Sequence, residues 1–320
     1  MATDHGRVPG SGPWQTEDLR LAFEARIDRG EKVETGDWMP EEYRDEARRL
    51  VLMHAMSRLV EAMAEREWVA AAPSLEDRIA MVAMVRENLG YAEMVLRLAE
   101  DLLPEPVPEP GGLLAQLTAG RVRYQTVYGR PLTGWADVVV LLWLVSGAAV
   151  ILHSGFVGSS YAPYARVLTR IVQSEEFHAQ QGQTLAERWL NASLVNRGQL
   201  QEALNRWWED LLLFFGPPEH WPGTHQLRAL RYRLRTKSNE ELRQRYLSVY
   251  VPRLRSLGLQ PPDADLAFQP AARVWRYTAP DWGRLAAPPD QGPVLRRLAL
   301  RRIGYESARD HLAGVGPARP

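Results

Sequence analysis

Hydrophobic positions recur at three- and four-residue steps along most of the chain, the spacing of amphipathic helices. After Pro40, residues Leu50, Val51, Met53, Met56, Leu59, Val60 and Met63 mark one face of a helix ending near Trp68. Ser74-Leu-Glu-Asp77 has the form of a capping box, with Asp in place of Glu or Gln, and opens a second helix through about Leu103. Its expected apolar face carries Ile79, Met81, Val82, Met84, Val85, Leu89, Met94, Val95 and Leu98. A short helix follows the Pro/Gly-rich 104–112. A third long helix, Trp135 to about His153, is apolar almost all round and belongs in the centre of a core. A fourth spans about Pro163 to Leu190, and further helices are predicted over 199–215, 239–257 and the basic 294–312. No strand alternation and no internal repeat stands out. The pattern predicts an all-α fold, four long helices around one core with additional C-terminal helices. Residues 1–36 read as a partly flexible N-terminal arm, 37–260 as the helical domain, and 261–320 as a Pro-rich and helical extension.

Composition narrows the function classes. Lys+Arg and Asp+Glu each number 39 in 320 residues, so the formal charge is zero, and no nucleic-acid partner is expected. There is no Cys, which excludes disulfides, thiolate metal sites and a Cys nucleophile. The longest apolar run, Val138 to Leu152, is interrupted by Ser146 and Gly147 and is shorter than the roughly 18 residues of a membrane span. A core helix, no membrane partner and a cytoplasmic location are therefore expected.

The fourth helix carries Glu175-Glu-Phe-His178, which sets Glu175 and His178 on one helix face. A Glu-x-x-His pair is half of a di-metal carboxylate site, in which carboxylates bridge two ions and imidazoles cap them. The second helix should supply the other half, yet it offers Asn88-Leu-Gly-Tyr91. Among weaker candidates, His153 reads as a helix cap or packed polar group. His220 and His225 read as loop residues, and Arg296–Arg302 as a surface or interface helix. Trp207, Trp208, Phe214 and Phe215 read as packing residues.

The chain resembles the catalytic subunit family of the ring 1,2-phenylacetyl-CoA epoxidase, the multicomponent phenylacetate oxygenase. The resemblance runs from about Asp37-Trp-Met-Pro40 to about Trp282. It is carried by Ala72-Pro-Ser-Leu75, Gly134-Trp-Ala-Asp137, Ser160-Tyr-Ala-Pro-Tyr-Ala-Arg166, Glu175-Glu-Phe-His178 with Gln181-Gly182, Phe215-Gly-Pro217, Asn239-Glu-Glu-Leu-Arg-Gln-Arg245 and Pro262-Asp-Ala-Asp-Leu266. It implies a ferritin-like four-helix bundle, phenylacetate catabolism, partnership with a homologous helical protein in a homo- or hetero-oligomer, and electrons from a separate reductase.

The same resemblance exposes a departure. The family's first-helix Glu falls on Arg58, its second-helix Glu-x-x-His on Asn88 and Tyr91, and its third-helix Asp on Ser146. Only Glu175 and His178 keep the family's ligands. A permanent cation at Arg58 opposes two divalent ions, and it can pair with Glu175 without any metal. No cofactor is therefore expected. The alternative is iron or manganese on Glu175 and His178, including a shifted single-ion site with His54 and Glu61. The substrate contacts implied by the resemblance fall on Arg49, on Arg123, Tyr124, Gln125 and Thr126, on Leu213 to Phe215, and on Arg235 and Asn239, with Met53 and Leu152 replacing polar residues. The expectation is a degenerate, non-redox structural, regulatory or acyl-CoA-binding subunit rather than an enzyme. The alternative is an oxygen-dependent aryl-CoA monooxygenase with reassigned ligands.

Overall fold

A computed structural model describes residues 13–103, 123–222, 225–285, 294–297 and 299, with side chains from residue 17. The four long helices are α2 (Glu41–Trp68), α3 (Leu75–Glu100), α4 (Trp135–Ser154) and α5 (Ala162–Ala192), preceded by α1 (Pro13–Asp28). Then come α6 (Leu194–Leu213), α7 (Gln226–Arg231) and α8 (Asn239–Ser256), followed by a hairpin of β1 (Ala267–Gln269) and β2 (Val274–Arg276). The fold is the all-α, ferritin-like bundle with added C-terminal helices. Helix α2 lies along α3, α4 along α5, and α3 against α5, while α6 and α8 pack on α4.

Local chemistry sets the helix ends. The Ser74 hydroxyl accepts the Asp77 N–H at 3.0 Å and starts α3. Ser238 and Glu241 form a reciprocal capping box at the start of α8. Helix α4 is the one segment among the described residues long and apolar enough to cross a membrane, but 94% of its most apolar window is buried inside the protein. Between Leu141 and Val145 it widens into a π-helical turn. The Ser146 hydroxyl donates to the Leu141 carbonyl there at 3.3 Å. Gly182 of α5 faces this turn, and a Cβ at that position would meet the Leu142 oxygen at 2.1 Å and the Trp143 nitrogen at 2.6 Å.

Three expectations change. The arm expected over 1–36 contains α1, whose Phe23 and Ile27 are buried in the main core. Val33 then pairs with Tyr161 in a parallel bridge, its N–H donating to the Ser160 oxygen at 2.8 Å. Gly, Pro and charge around the helix hid its apolar residues. The apolar face read on α3 splits, with Met81, Met84 and Val95 buried and Ile79, Val82, Leu89 and Met94 exposed. The 261–320 extension holds the hairpin, too short for alternation to reveal. Its Trp275 is buried and donates through its backbone N–H to Gln244 at 2.6 Å. The short helix predicted after residue 112 and most of the one predicted over 294–312 lie outside the described residues.

Because backbone and not a flexible side chain opposes a Cβ at Gly182, Gly182→Ala is expected to destabilise the fold by about 1–3 kcal/mol. Gly198→Ala in α6, where nothing lies within 4 Å, is expected to stabilise by about 0.5–1 kcal/mol through helix propensity. Urea unfolding of both variants checks the pair.

Candidate functional site

Arg58 of α2 points inward and is 1% exposed. Its Nη1 lies 3.0 Å from Glu175 Oε1 on α5, its Nη2 lies 2.7 Å from Glu61 Oε2, and Nη2 also donates to the Tyr128 hydroxyl at 2.6 Å. The guanidinium thus ties α2 to α5 and to the 3-10 turn Thr126–Gly129. Burial alone would lower the pKa of Arg58. Glu61, Tyr128, Glu175 and Glu65 outweigh that cost and hold its pKa above the ordinary value. Glu175 is buried as well, which works against ionisation, but His153 and Arg58 hold its carboxyl below the usual range. The His153 Nδ1 sits 2.8 and 2.9 Å from the two Glu175 oxygens.

Two further carboxyls on α2 share this interior. Burial, reinforced by Glu175 and opposed by Arg58, pushes Glu61 up to about 7. Glu65 is driven well above the carboxylate range, by burial first and Glu61 second. Asn88 donates to Glu65 Oε2 at 3.1 Å. On the other side of Arg58, His54 stacks on His153 with ring centroids 3.9 Å apart. The His54 Nδ1 is 2.9 Å from the Tyr164 hydroxyl. Burial, and then His153 and Arg58, push His54 well below the ordinary imidazole range, so it is neutral at pH 7.

The expected positions therefore separate. Arg58 and Glu175 pair as expected. Asn88 turns to Glu65, Ser146 bonds back to its own helix, and buried Tyr91 packs in the core. Buried His178 meets the exposed Glu87, its Nε2 2.9 Å from Oε2, with Ser174 donating to the same oxygen at 2.6 Å. The six positions thus do not close on one another as a polar cluster. The group that does meet is His54, His153 and Glu175, one ligand atom from each lying within 4.8 Å of the others. His153, read from the sequence as a cap, is in it. Its position one helix away from Glu175 and 22 residues earlier left no local spacing to find it by. A two-iron centre does not fit these residues. Arg58 stands among the carboxylates with Nη1 and Nη2 ion-paired to Glu175 and Glu61, and Asn88, Tyr91 and Ser146 supply no bridging carboxylate.

A cavity of about 880 Å³ opens beside this cluster, within the usual range for ligand pockets. His54, Arg58, His153 and Tyr164 line its buried end. Arg49, Arg123, Tyr124, Gln125, Thr126, Arg235 and Asn239, far apart in the sequence, all line the same space, as do Met53, Leu152 and Leu213–Phe215. The backbone places them there: the Gln125 N–H donates to the Ser57 hydroxyl at 2.8 Å, which holds 123–126 against α2. Arg235 is buried over Phe156, donates from Nε to the Lys237 oxygen and from Nη1 to Asn239 Oδ1, both at 2.6 Å, and leaves Nη2 buried without a hydrogen-bond partner. Burial, then the charge of Arg49, lowers its pKa to about 10. His225 also lines the cavity, 3.6 Å from Glu46, whereas Trp207 and Trp208 pack in the core as expected. Of the basic 296–302 stretch, Arg297 is buried and donates to Glu67 at 3.1 Å and to the Tyr128 oxygen at 3.0 Å.

Two comparisons with known proteins bear on this site. The sequence model of the phenylacetic acid catabolic protein family matches residues 16–308. The chain is also 32% identical over 262 residues to the first-lettered subunit of the 1,2-phenylacetyl-CoA epoxidase of Escherichia coli (strain K12), covering 81% of this chain and 82% of that protein.

The Glu61 carboxyl yields a pH prediction. Its pKa rises from 4.5 in the unfolded chain to about 7 in the fold. Between those values the folded state keeps a proton that the unfolded state has lost, so this group's contribution to stability falls as pH rises through the window. In denaturant melts from pH 4.5 to 8, Glu61→Gln is expected to gain about 3 kcal/mol on the wild type. A gap that stays constant with pH would remove this account of Glu61.

Proposed function

Since the chain belongs to the phenylacetic acid catabolic protein family, we propose that it binds an acyl-CoA thioester in the cavity beside Arg58 and serves as an accessory subunit without two-iron oxygen chemistry. The observation that carries the reading is Arg235. A buried guanidinium in the cavity lining whose Nη2 has no hydrogen-bond partner is a costly arrangement, and an anionic group of the ligand would complete it. Arg49 and Arg123 at the more exposed end add positive charge suited to CoA phosphates. The apolar lining from Met53, Leu152, Phe214 and Phe215 suits the acyl portion. The Escherichia coli relative is by name one subunit of an epoxidase, and a partner protein is proposed here on the same footing. Exposed Leu75, Ile79 and Val82 on α3 and Phe177 on α5 give such a partner apolar surface. The preference for an accessory role over a monooxygenase rests on Arg58, whose ion pairs with Glu61 and Glu175 place a fixed cation beside the carboxylates that two bridged ions would need.

Calorimetric titration with phenylacetyl-CoA is expected to show one site per chain. Arg235→Ala is expected to weaken binding about 10- to 100-fold, as for a lost charge-assisted hydrogen bond, and Arg49→Ala by less because it is partly exposed. Free phenylacetate should bind far more weakly than the thioester. No heat from folded protein at millimolar phenylacetyl-CoA would end the acyl-CoA reading.

A further inference from the structure

We propose that His54, His153 and Glu175 hold a single first-row divalent transition-metal ion, at a place that shares only Glu175 with the family's ligand positions and borders the cavity. The three residues come from α2, α4 and α5, so rigid helices set their relative positions. One donor atom from each lies within 4.8 Å of the other two, and all three side chains are buried. Adjacent ligands around an ion with bonds of roughly 2.1 Å stand about 3 Å apart. His153 Nδ1 already has that spacing from both Glu175 oxygens, at 2.8 and 2.9 Å. For an ion to bind, His153 Nδ1 has to release the proton it shares with Glu175, and the stacked His54 ring has to turn toward that carboxylate.

The surroundings match what metal ligands require. The Tyr164 hydroxyl meets His54 Nδ1 at 2.9 Å and leaves Nε2, which is buried and has no hydrogen-bond partner. An orphaned imidazole nitrogen backed by a bond on the other ring atom is the pattern of a ligand with its supporting contact. Arg58 supports Glu175 in the same way at 3.0 Å. The added positive charge would be met by Glu175, and by Glu61 and Glu65, whose buried carboxyls an approaching cation favours in the ionised form. Two imidazoles and one carboxylate favour iron, manganese, cobalt or zinc over magnesium or calcium. His54 and His153 line the cavity, so the site lies at its wall.

The test uses the full chain, stripped with a chelator and free of any CoA compound, so its result is separate from the acyl-CoA titration. Zn²⁺ is titrated by calorimetry and Co²⁺ by visible absorption. One ion per chain with ligand-field bands is expected, and His54→Ala and His153→Ala should each weaken uptake about 100-fold or more. His178→Ala should leave it unchanged. His54→Gln serves as a milder variant, and circular dichroism with metal-free melting temperatures checks that each protein is folded. Added Zn²⁺ should raise the melting temperature of the wild type and His178→Ala and not of the His54 or His153 variants. Absence of stoichiometric uptake by folded wild type would overturn the proposal. So would undiminished affinity in both folded His54 variants and His153→Ala, or a loss on His178→Ala equal to that on His153→Ala.

Discussion

One guanidinium organises the middle of this bundle. Arg58 sits where three carboxyls converge, and its bonds to Glu61, Glu175 and Tyr128 replace the attraction that bridging ions supply in a carboxylate metal centre. A cation of fixed charge has a different reach from two ions. It holds Glu175 ionised but leaves Glu65, farther along α2, shifted upward by burial and partnered by Asn88. The Asn at position 88 is thus intelligible as the mate of a raised carboxyl rather than as a failed ligand. Removing Arg58 would leave the ionised Glu175 with His153 alone and push Glu61 further toward its protonated form, a loss of the kind that costs several kcal/mol.

The same bond pattern decides which way the nearby imidazoles turn. Glu175 spends one face on Arg58 and the other on His153, so His178 finds its partner outside, at Glu87. His54 fills the space against His153 by stacking. The polar centre thereby shifts toward the cavity. That cavity joins a polar, titratable end at His54 and His153 to a cationic end at Arg49 and Arg123. A long amphipathic ligand with anionic groups at one end complements such a gradient in charge and polarity.

Much of this was legible in the sequence, and the limits have physical causes. The three- and four-residue spacing placed α2, α3, α4 and α5 within a few residues of their ends, because each buries a continuous stripe. The cap at Ser74 was readable because its partner lies three residues away. Arg58 facing Glu175 followed from the helix positions that the resemblance assigned. The buried helix α1 was hidden because Phe23 and Ile27 sit among charges. The surface of α3 was overread as core, since periodicity marks an apolar face without saying what covers it. His153, Glu65 and Tyr128 escaped because their roles depend on side chains brought near from other helices or distant turns.

The widened turn at Leu141–Val145 has a bearing on how this architecture could change over time. A π-turn is an α-helix carrying one surplus residue, so everything after it is rotated by about 100° from an uninterrupted helix. The orientation of His153 toward Glu175 and of Gly147 toward Tyr250 depends on that surplus being retained. A one-codon deletion there would turn the second half of α4 without altering any side chain in the centre, and a lineage could gain or lose this polar site by a change in helix phase alone.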